Sequence, residues 1–493
     1  MLLLGIDIGT SSVKISIVDA ATQQAIVSAQ YPETEAPIIS LQNGWAEQNP
    51  DSWWAYFQQA LMQANVSGKY DPKDIAAIGI GYQMHGLVAV NEAQLPLRNS
   101  IIWCDSRAVP YGEKAFESIG EEKCLSCLLN SPGNFTAAKL AWLKENEPEI
   151  FKQVFKIMLP GDFIAMRLTG DITTTPSALS EGIFWDFKHE EISKDVMQFF
   201  GFKNDIIPDC KAVFSTHGFL KEDVAGKLGL KHGIPVSYKA GDQLNNALSL
   251  NVMEPGEVAA TAGTSGVIYT VADDLVYDKQ SRVNSFAHLN YTKDNKRIGV
   301  LLCINGTGIM NSWIRKCMGS NKTYSQLNEE AAAIPQGSEG LLVFPFGNGA
   351  ERMLNNKLPG SSIINIDLNK HTPAHVYRAA QEGIAYAFRY GLDIMRENNI
   401  EPKVIRAGKA NMFLSDVFVD AFVNITNVPV ELYNNDGSVG AALGAGIGAK
   451  IFESPKDAFT NMKCVKLVEP NGKKLYEKSY EKWKAELVKN LGE

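Results

Sequence analysis

Apolar and polar positions alternate through the opening LLLGIDIGTSSVKISIVD, with Gly9 and Thr10 at its middle. This pattern predicts two strands joined by a tight glycine turn. The same device returns in EVAATAGTSGVIYTVAD, where Gly263, Thr264 and Ser265 echo Gly9, Thr10 and Ser11, and Asp273 falls where Asp19 does. One recurrence about half a chain apart points to two related domains rather than a solenoid, whose periods are roughly 20 to 50 residues. Pro255 and Gly256 punctuate the chain ahead of the second hairpin. They place a hinge near residues 246–256 and divide the chain into 1–245 and 246–493.

Within the first half, DIAAIGIGYQMHGLVAV and RNSIIWCD read as buried strands running into polar ends, and Asp51 to Gln63 carries helical periodicity behind Pro50. In the second half, Thr372 and Pro373 form an N-cap and N1 pair for a long helix through Ile394. The strand-like KVIRAG and a helix from Asn411 follow. Strands alternating with helices predict an α/β protein. The Lys-rich tail from Lys473 predicts an exposed amphipathic helix whose charges solvate one face.

Composition narrows the functional classes. At 493 residues, 45% hydrophobic and 21% charged, the chain is globular in character and too long for one core, and two large domains are the expectation. A formal charge of -8 argues against nucleic acid or an anionic membrane as the main partner, since both select basic faces. No segment approaches the roughly 18 apolar residues of a membrane span. The apolar start Met1 to Leu4 is broken at once by Gly5 and Asp7 and lacks a basic leader. Seven scattered cysteines do not suggest a disulfide framework, and a reducing cytosol fits them better. Cys124 and Cys127 form one C-x-x-C, read as two ordinary thiols because no second pair or nearby His completes a zinc site.

The candidate chemistry begins with the two Gly-Thr-Ser turns, in which backbone N–H groups and hydroxyls can converge on a phosphate. No G-x-x-x-x-G-K-[ST] occurs and no glycine cluster makes G-x-G-x-x-G, which excludes a P-loop and disfavours a dinucleotide fold. Asp7 stands among apolar residues two positions before the first turn, where burial demands a cation or hydrogen-bond partners, and Mg²⁺ suits it. The other reading is an Asp capping its own turn. Asp242, after Gly241 at an apparent strand end, is placed to accept a proton from a hydroxyl attacking a phosphoryl group, or simply to cap a helix. Gln83, Met84 and His85 interrupt one apolar run, and Trp103, Asp105 and Arg107 the next. Together they supply donors and acceptors for a polyol. Gly440, Gly444 and Gly448 lie four apart on a helix, bordering an adenine pocket or serving close packing.

GIDIGTSSVK, WAEQNPDSWW, GYQMHGLV, IIWCDSR, KAGDQ, AGTSGV, GLLVFPFGNGAER and DGSVGAALGAG, in order from residue 5 to 448, together resemble the FGGY family of carbohydrate kinases. The resemblance implies two actin-like, ribonuclease H-like ATPase domains, a sugar-binding one over 1–245 and a nucleotide-binding one over 246–493, with the active site in the cleft. It implies ATP and Mg²⁺ as cofactors and a small sugar as partner, without nucleic acid or membrane, and leaves a homodimer open. The QMHG element implies a ketopentose substrate, D-xylulose phosphorylated to D-xylulose 5-phosphate. Carried over by position, Asp242 is the catalytic base and Asp7 the magnesium-associated acid. Thr10, Ser11, Ser12 and Thr264 contact phosphate, and Gly408 and Asn411 the adenosine side. Gln83, Met84, His85, Asp105, Asp242 and Gln243 contact the sugar. The rival expectations are a kinase for ribulose, another ketose or glycerol, an actin-like chaperone or filament protein, and a sugar sensor without catalysis.

Overall fold

The opening alternation becomes strands β1 (Leu2–Ile8) and β2 (Val13–Asp19), paired antiparallel from Leu2↔Asp19 to Ile8↔Val13, and β3 (Ala25–Tyr31) continues the meander. Helix α1 (Pro50–Val66) starts at an Asn49 cap whose side chain accepts from the Asp51 N–H. It leads to β4 (Ile75–Tyr82), which runs parallel to β1. In this computed structural model, residues 1–472 and 474–492 are described. An extended insertion carries helices α2 (Thr136–Asn146) and α3 (Pro176–Glu181). After it come β5 (Phe214–Phe219), β6 (Pro235–Gly241) and α4 (Asp242–Ser249). The first sheet has the order β5-β6-β4-β1-β2-β3.

The second half repeats the plan. Strands β7 (Glu257–Ala262) and β8 (Gly266–Ala272) form the second hairpin, followed by β9 (Asn284–Ala287) and β10 (Ile298–Ile304). Then come α5 (Gly308–Met318), α6 (Pro373–Glu397), β11 (Val404–Gly408), α7 (Asp416–Thr426), β12 (Val430–Tyr433), α8 (Gly437–Gly448), β13 (Cys464–Val468) and α9 (Lys474–Asn490). The second sheet is ordered β9-β10-β8-β7-β11-β12-β13. In each sheet a three-stranded antiparallel meander is joined by two parallel strands, β4 and β6 in one and β11 and β12 in the other. The two GTS turns occupy equivalent places, so the molecule is a pair of actin-like, ribonuclease H-like domains.

The chain exchanges a helix between its halves. Helix α8, from the second half, packs on β1, β4, β6 and β2 of the first sheet and beside α4, while α4 also touches β7 and β8. This contact is backbone on backbone. A Cβ on Gly5 would overlap the Ser438 carbonyl, and one on Gly79 would overlap that of Ala441. From the helix side, a Cβ on Gly440 would stand 2.7 Å from Ser249 Cβ and one on Gly444 2.7 Å from the Tyr238 ring. Gly5, Gly79 and Gly444 therefore serve helix-to-sheet packing, and Gly440 the packing of α8 on α4. The boundary expected at 245/246 falls inside α4, and the chain passes between the sheets through α4 and the turn that follows it.

Helix α6 is buried on nearly every side, which fits its central place in the second core. The segment from Asn411 opens with a 3₁₀ turn, and α7 begins only at Asp416, where the Ser415 hydroxyl accepts from the Phe418 N–H. Lys473, where the tail helix was expected to start, lies outside the described residues. Helix α9 is less exposed than its lysines predict, because Tyr476, Tyr480, Trp483 and Leu487 form a fully buried stripe. Cys124 and Cys127 are buried free thiols. Among the described residues no helix is long and apolar enough to cross a membrane.

Candidate active site in the interdomain cleft

The first turn is closed by Gly9 N–H donating to Ser12 O over 3.0 Å, and a buried amide network holds it from beneath. Gln48 Nε2 donates to Thr10 O at 2.7 Å, and Gln83 Nε2 donates to Gln48 Oε1 at 2.9 Å. Thr10 Oγ1 donates to Gln83 Oε1 at 3.2 Å and accepts from Trp103 Nε1 at 2.9 Å. Gln83, expected on the sugar, is instead buried and spends its amide on this turn. Ser11 is exposed and Ser12 partly so, leaving their hydroxyls open to a phosphate.

On the facing side, α5 starts against the second turn, with Gly308 N–H donating to Gly263 O at 2.7 Å. Thr264 is exposed. Asn411 adopts φ +53° and brings its amide to 3.6 Å from where a Cβ on Gly263 would stand. Gly408 ends β11 with the Asn435 side chain packed on its Cα. The structure thus groups Thr264, Gly408 and Asn411 at the ends of neighbouring strands in the second domain, and Thr10, Ser11 and Ser12 on one turn in the first.

Asp7 lies near the end of β1, partly buried, its carboxyl raised to about 6 by burial and by the charge of Asp436, with Lys14 opposing. Lys14 forms an ion pair with Asp436, the N-cap of α8. Asp242 opens α4 where β6 ends. A helix N-terminus ordinarily favours the carboxylate, yet Asp242 is raised to about 7. Burial is the larger cause and the negative charge of Asp7 the second, while hydrogen bonds from Gln243 oppose them. The two acids sense each other, as two carboxylates at one phosphoryl site would.

Met84 and His85 follow β4 on a turn that His85 makes at φ +59°. The His85 N–H donates to Glu181 Oε1 at 3.3 Å, its Nδ1 lies 3.2 Å from Glu181 O, and Lys139 Nζ donates to His85 O at 2.8 Å. Because a carbonyl only accepts, Nδ1 carries the ring proton. Burial and the neighbouring Lys139 push His85 down to about 3, so the ring is neutral. Burial also lowers Lys139 to about 7 and raises Glu181 well above the carboxylate range. Glu181 Oε2 is buried without a hydrogen-bond partner among the described residues, 2.6 Å from where a Cβ on Gly241 would stand. Glu181 therefore touches both the His85 turn and the strand end that presents Asp242. Cys303 has solvent-accessible surface but sits in crowded, poorly hydrated surroundings, and this desolvation, then the charge of Asp242, raises its thiol to about 11.

Asp105 stands apart from the expected sugar contacts. It is fully buried and accepts from Arg107 Nε at 2.9 Å, Arg107 Nη2 at 2.7 Å and the Ala46 N–H at 2.6 Å. Arg107 also reaches Glu47 at 2.7 Å and stacks on Trp45. This buried ion pair fixes the turn that carries the exposed Trp103, so Asp105 acts on the cleft through the backbone. Glu181, Lys139 and Phe286, whose ring lies 5.6 Å from that of His85, were not visible in the sequence pattern, since each comes from a segment remote from the glycine turns.

Comparison with known proteins bears on this geometry. Residues 2–249 match the N-terminal domain, and residues 258–449 the C-terminal domain, of the FGGY family of carbohydrate kinases. A xylulose kinase of Bacillus subtilis (strain 168) is 31% identical over 461 residues, covering 92% of this chain and 89% of the relative. Among solved structures, a xylulose kinase from Rhodospirillum rubrum superposes with a TM-score of 0.90 at 23% identity, over 100% of this chain and 99% of the other. A gluconate kinase from Lactobacillus acidophilus does so at 0.89 with 22% identity, over 99% and 98%. With both domain families matched in sequence over most of its length, the chain belongs to the FGGY family of carbohydrate kinases.

Proposed function

We propose that this enzyme transfers the γ-phosphoryl group of ATP to D-xylulose, forming D-xylulose 5-phosphate, with Asp242 as general base. The observation that carries the reading is the position of Asp242: it begins α4 beside Asp7, and Glu181 and Met84 pack on the Gly241 that precedes it. A base raised to about 7 is matched to taking a proton from a hydroxyl near neutral pH.

Phosphoryl transfer is mostly positioning and charge stabilisation. Ser11, Ser12 and Thr264 offer hydroxyls and backbone N–H groups to the phosphates from both domains, Thr10 offers its backbone N–H, and Gly408 and Asn411 border the adenosine. The Gln48–Gln83 network keeps the first turn from yielding when the anion arrives. His85 and Met84 hold the sugar, with Gln243 beside the base, and Asp242 Oδ takes the hydroxyl proton as the oxygen attacks. Closing the domains keeps water from competing for the phosphoryl group.

The residues present fit Mg²⁺. The described residues hold no cluster of three metal-ligating side chains, and Asp7 stands two residues before the phosphate turn with Asp242 beside it, while Mg²⁺ is usually held by one or two carboxylates plus the substrate's phosphates. When bound, the ion supplies neutralising charge to the phosphates. Asp7 is the residue that would hold it.

Support for D-xylulose comes from the MHG turn at Met84 and His85 and from the name of the 31%-identical relative. Because a gluconate kinase shares the fold equally well, the fold leaves the sugar open. The test is sugar-dependent ADP release with MgATP across D-xylulose, D-ribulose, L-ribulose, L-xylulose, D-fructose, D-gluconate and glycerol, with Asp242→Asn alongside. Fastest turnover on D-xylulose, lost in the variant, supports the proposal. Preference for another substrate moves the sugar and keeps the base, and sugar turnover that survives in Asp242→Asn removes the base.

A further inference from the structure

Strand β9 forms one edge of the second sheet, pairing with β10 on one side only. An edge leaves every second residue with an unpaired N–H and C=O. Here those groups are met by side chains of the first domain. Asn130 Nδ2 donates to Ser285 O at 2.6 Å, and the Ser285 N–H donates to Asn130 Oδ1 at 2.9 Å, so one amide matches both bonds of a missing strand residue. Two residues on, Ser177 Oγ donates to Ala287 O at 2.7 Å and the Ala287 N–H donates to Ser180 Oγ at 2.9 Å. All of these groups are buried.

Phe286 stands between the two clipped residues. Its ring centroid is 5.6 Å from that of His85 and 6.2 Å from that of Phe135, and Phe135 meets His85 edge-on at 4.8 Å. The His85 turn is therefore walled by one aromatic from its own domain and one from the other. The side chain of Glu181, which holds the His85 N–H, follows Ser180 directly on α3, so clip and sugar turn share a helix.

We propose that Phe286, fully buried against the His85 ring, is the backing wall that the second domain supplies to the sugar pocket, and that Asn130 is the positioning residue that holds it there. Domain docking then completes the sugar site as well as the phosphate site. A side-chain amide suits this task better than a real strand, because two hydrogen bonds can open and reform with the domains where a continuous ladder could not. The inference rests on the reading that places His85 at the sugar.

The experiment is a double-mutant cycle with Asn130→Ala, Phe286→Leu and the double variant, measured with MgATP and the best sugar of the panel. Each single variant is expected to raise the sugar KM about tenfold, with the ATP KM and kcat changed less than about threefold. The double variant should be no worse than the weaker-binding single, since Asn130 acts through Phe286. Independent, multiplying effects overturn the positioning role, and an unchanged sugar KM in Phe286→Leu overturns the wall. If Asn130→Ala does not fold, Asn130→Asp replaces it, keeping the acceptor for the Ser285 N–H while facing the Ser285 carbonyl with a second oxygen. Amide hydrogen exchange at Ser285 and Ala287 reads the clip without any sugar. Protection in the wild type that is lost at Ser285 in the Asn130 variant supports the clip, and fast exchange in both refutes it. Should no sugar be turned over, the kinase reading fails while the exchange result still judges the clip.

Discussion

Asn245 Nδ2 donates to the main-chain oxygen of Gly437 over 2.8 Å, joining α4 to the start of α8 across 192 residues of chain. Asn245 is one turn beyond Asp242, and its Oδ1 accepts from the Tyr238 hydroxyl at 3.3 Å. On the other side, a Cβ added to Gly437 would overlap Asp7 Oδ2. The helix that Asp242 opens and the strand that carries Asp7 thus meet at one glycine. Gly437→Ala is expected to push the Asp7 carboxylate aside and cut kcat by about tenfold or more, leaving the sugar KM nearly unchanged. Steady-state kinetics with varied MgATP and varied sugar check this, and an unaltered kcat would remove Asp7 from the reaction.

Asp105 and Arg107 offer a contrast between holding a site and touching substrate. Both are buried, and Arg107 is the sole side-chain cation that Asp105 pairs with among the described residues. Asp105→Ala leaves the Arg107 charge with Glu47 alone, and breaking such a buried pair costs about 3–5 kcal/mol. The expected result is a large fall in the denaturation midpoint. At a temperature where the variant stays folded, the sugar KM should stay within about threefold of wild type. A sugar KM that rises while the midpoint holds would return Asp105 to the substrate contacts.

Where a function needs a local pattern, the sequence shows it. The two GTS turns join the paired strands that alternation marks, and Asp7 and Asp242 stand at or beside the ends of β1 and β6. What stays hidden depends on distant segments meeting. Glycines four apart on α8 look the same whether they face a base ring, a second helix or a sheet, and only the fold shows that Gly440 meets Ser249 of α4 while Gly444 and Gly448 meet Tyr238 and Ser237 of β6. Asp105 resembles a sugar ligand until Ala46, nearly sixty residues earlier, is seen to use its oxygen. RNSIIWCD yields a strand of only Ser100–Ile101, because Asp105 and Arg107 turn the chain immediately afterwards. In the tail, lysines outnumber the four buried apolar and aromatic positions that anchor α9, and charge masked the stripe.

Glu181 separates a role for the carboxyl group from a role for its charge. Burial raises the group well above the carboxylate range and so favours its protonated form, and its Oε1 accepts the His85 N–H. Glu181→Gln keeps an acceptor of the same shape without a charge, so its sugar KM should remain within about threefold of wild type. Glu181→Ala orphans a buried N–H, which costs about 1–3 kcal/mol, and should raise the sugar KM about tenfold while the ATP KM stays put. Measured together, the two variants decide the matter: a Gln variant as impaired as the Ala variant would mean that the charge is required and that Glu181 is ionised in the working enzyme.

The pH profile follows from Asp242. Its carboxyl is raised to about 7 in the folded protein by burial first and by Asp7 second, against an ordinary value of 3.8. A base must be ionised to accept the hydroxyl proton, so kcat/KM is expected to rise tenfold per pH unit below about 7 and to level off above it. Stability runs the opposite way. Below 3.8 the group is protonated in both folded and unfolded chains and has no effect. Between 3.8 and about 7 the unfolded chain releases the proton and the folded one keeps it, so each step upward in pH favours unfolding. Above 7 the full cost of an ionised, buried Asp242 is present. Asp242→Asn removes that cost, so the inactive variant should melt higher than wild type at pH 8 and close to it at pH 4. Thermal melts of both proteins at the two pH values check the sign. A variant that is destabilised at pH 8 would show that the carboxylate has partners in the folded state that offset its burial, and the acid limb of the rate profile would then belong to Asp7, whose carboxyl is raised to about 6.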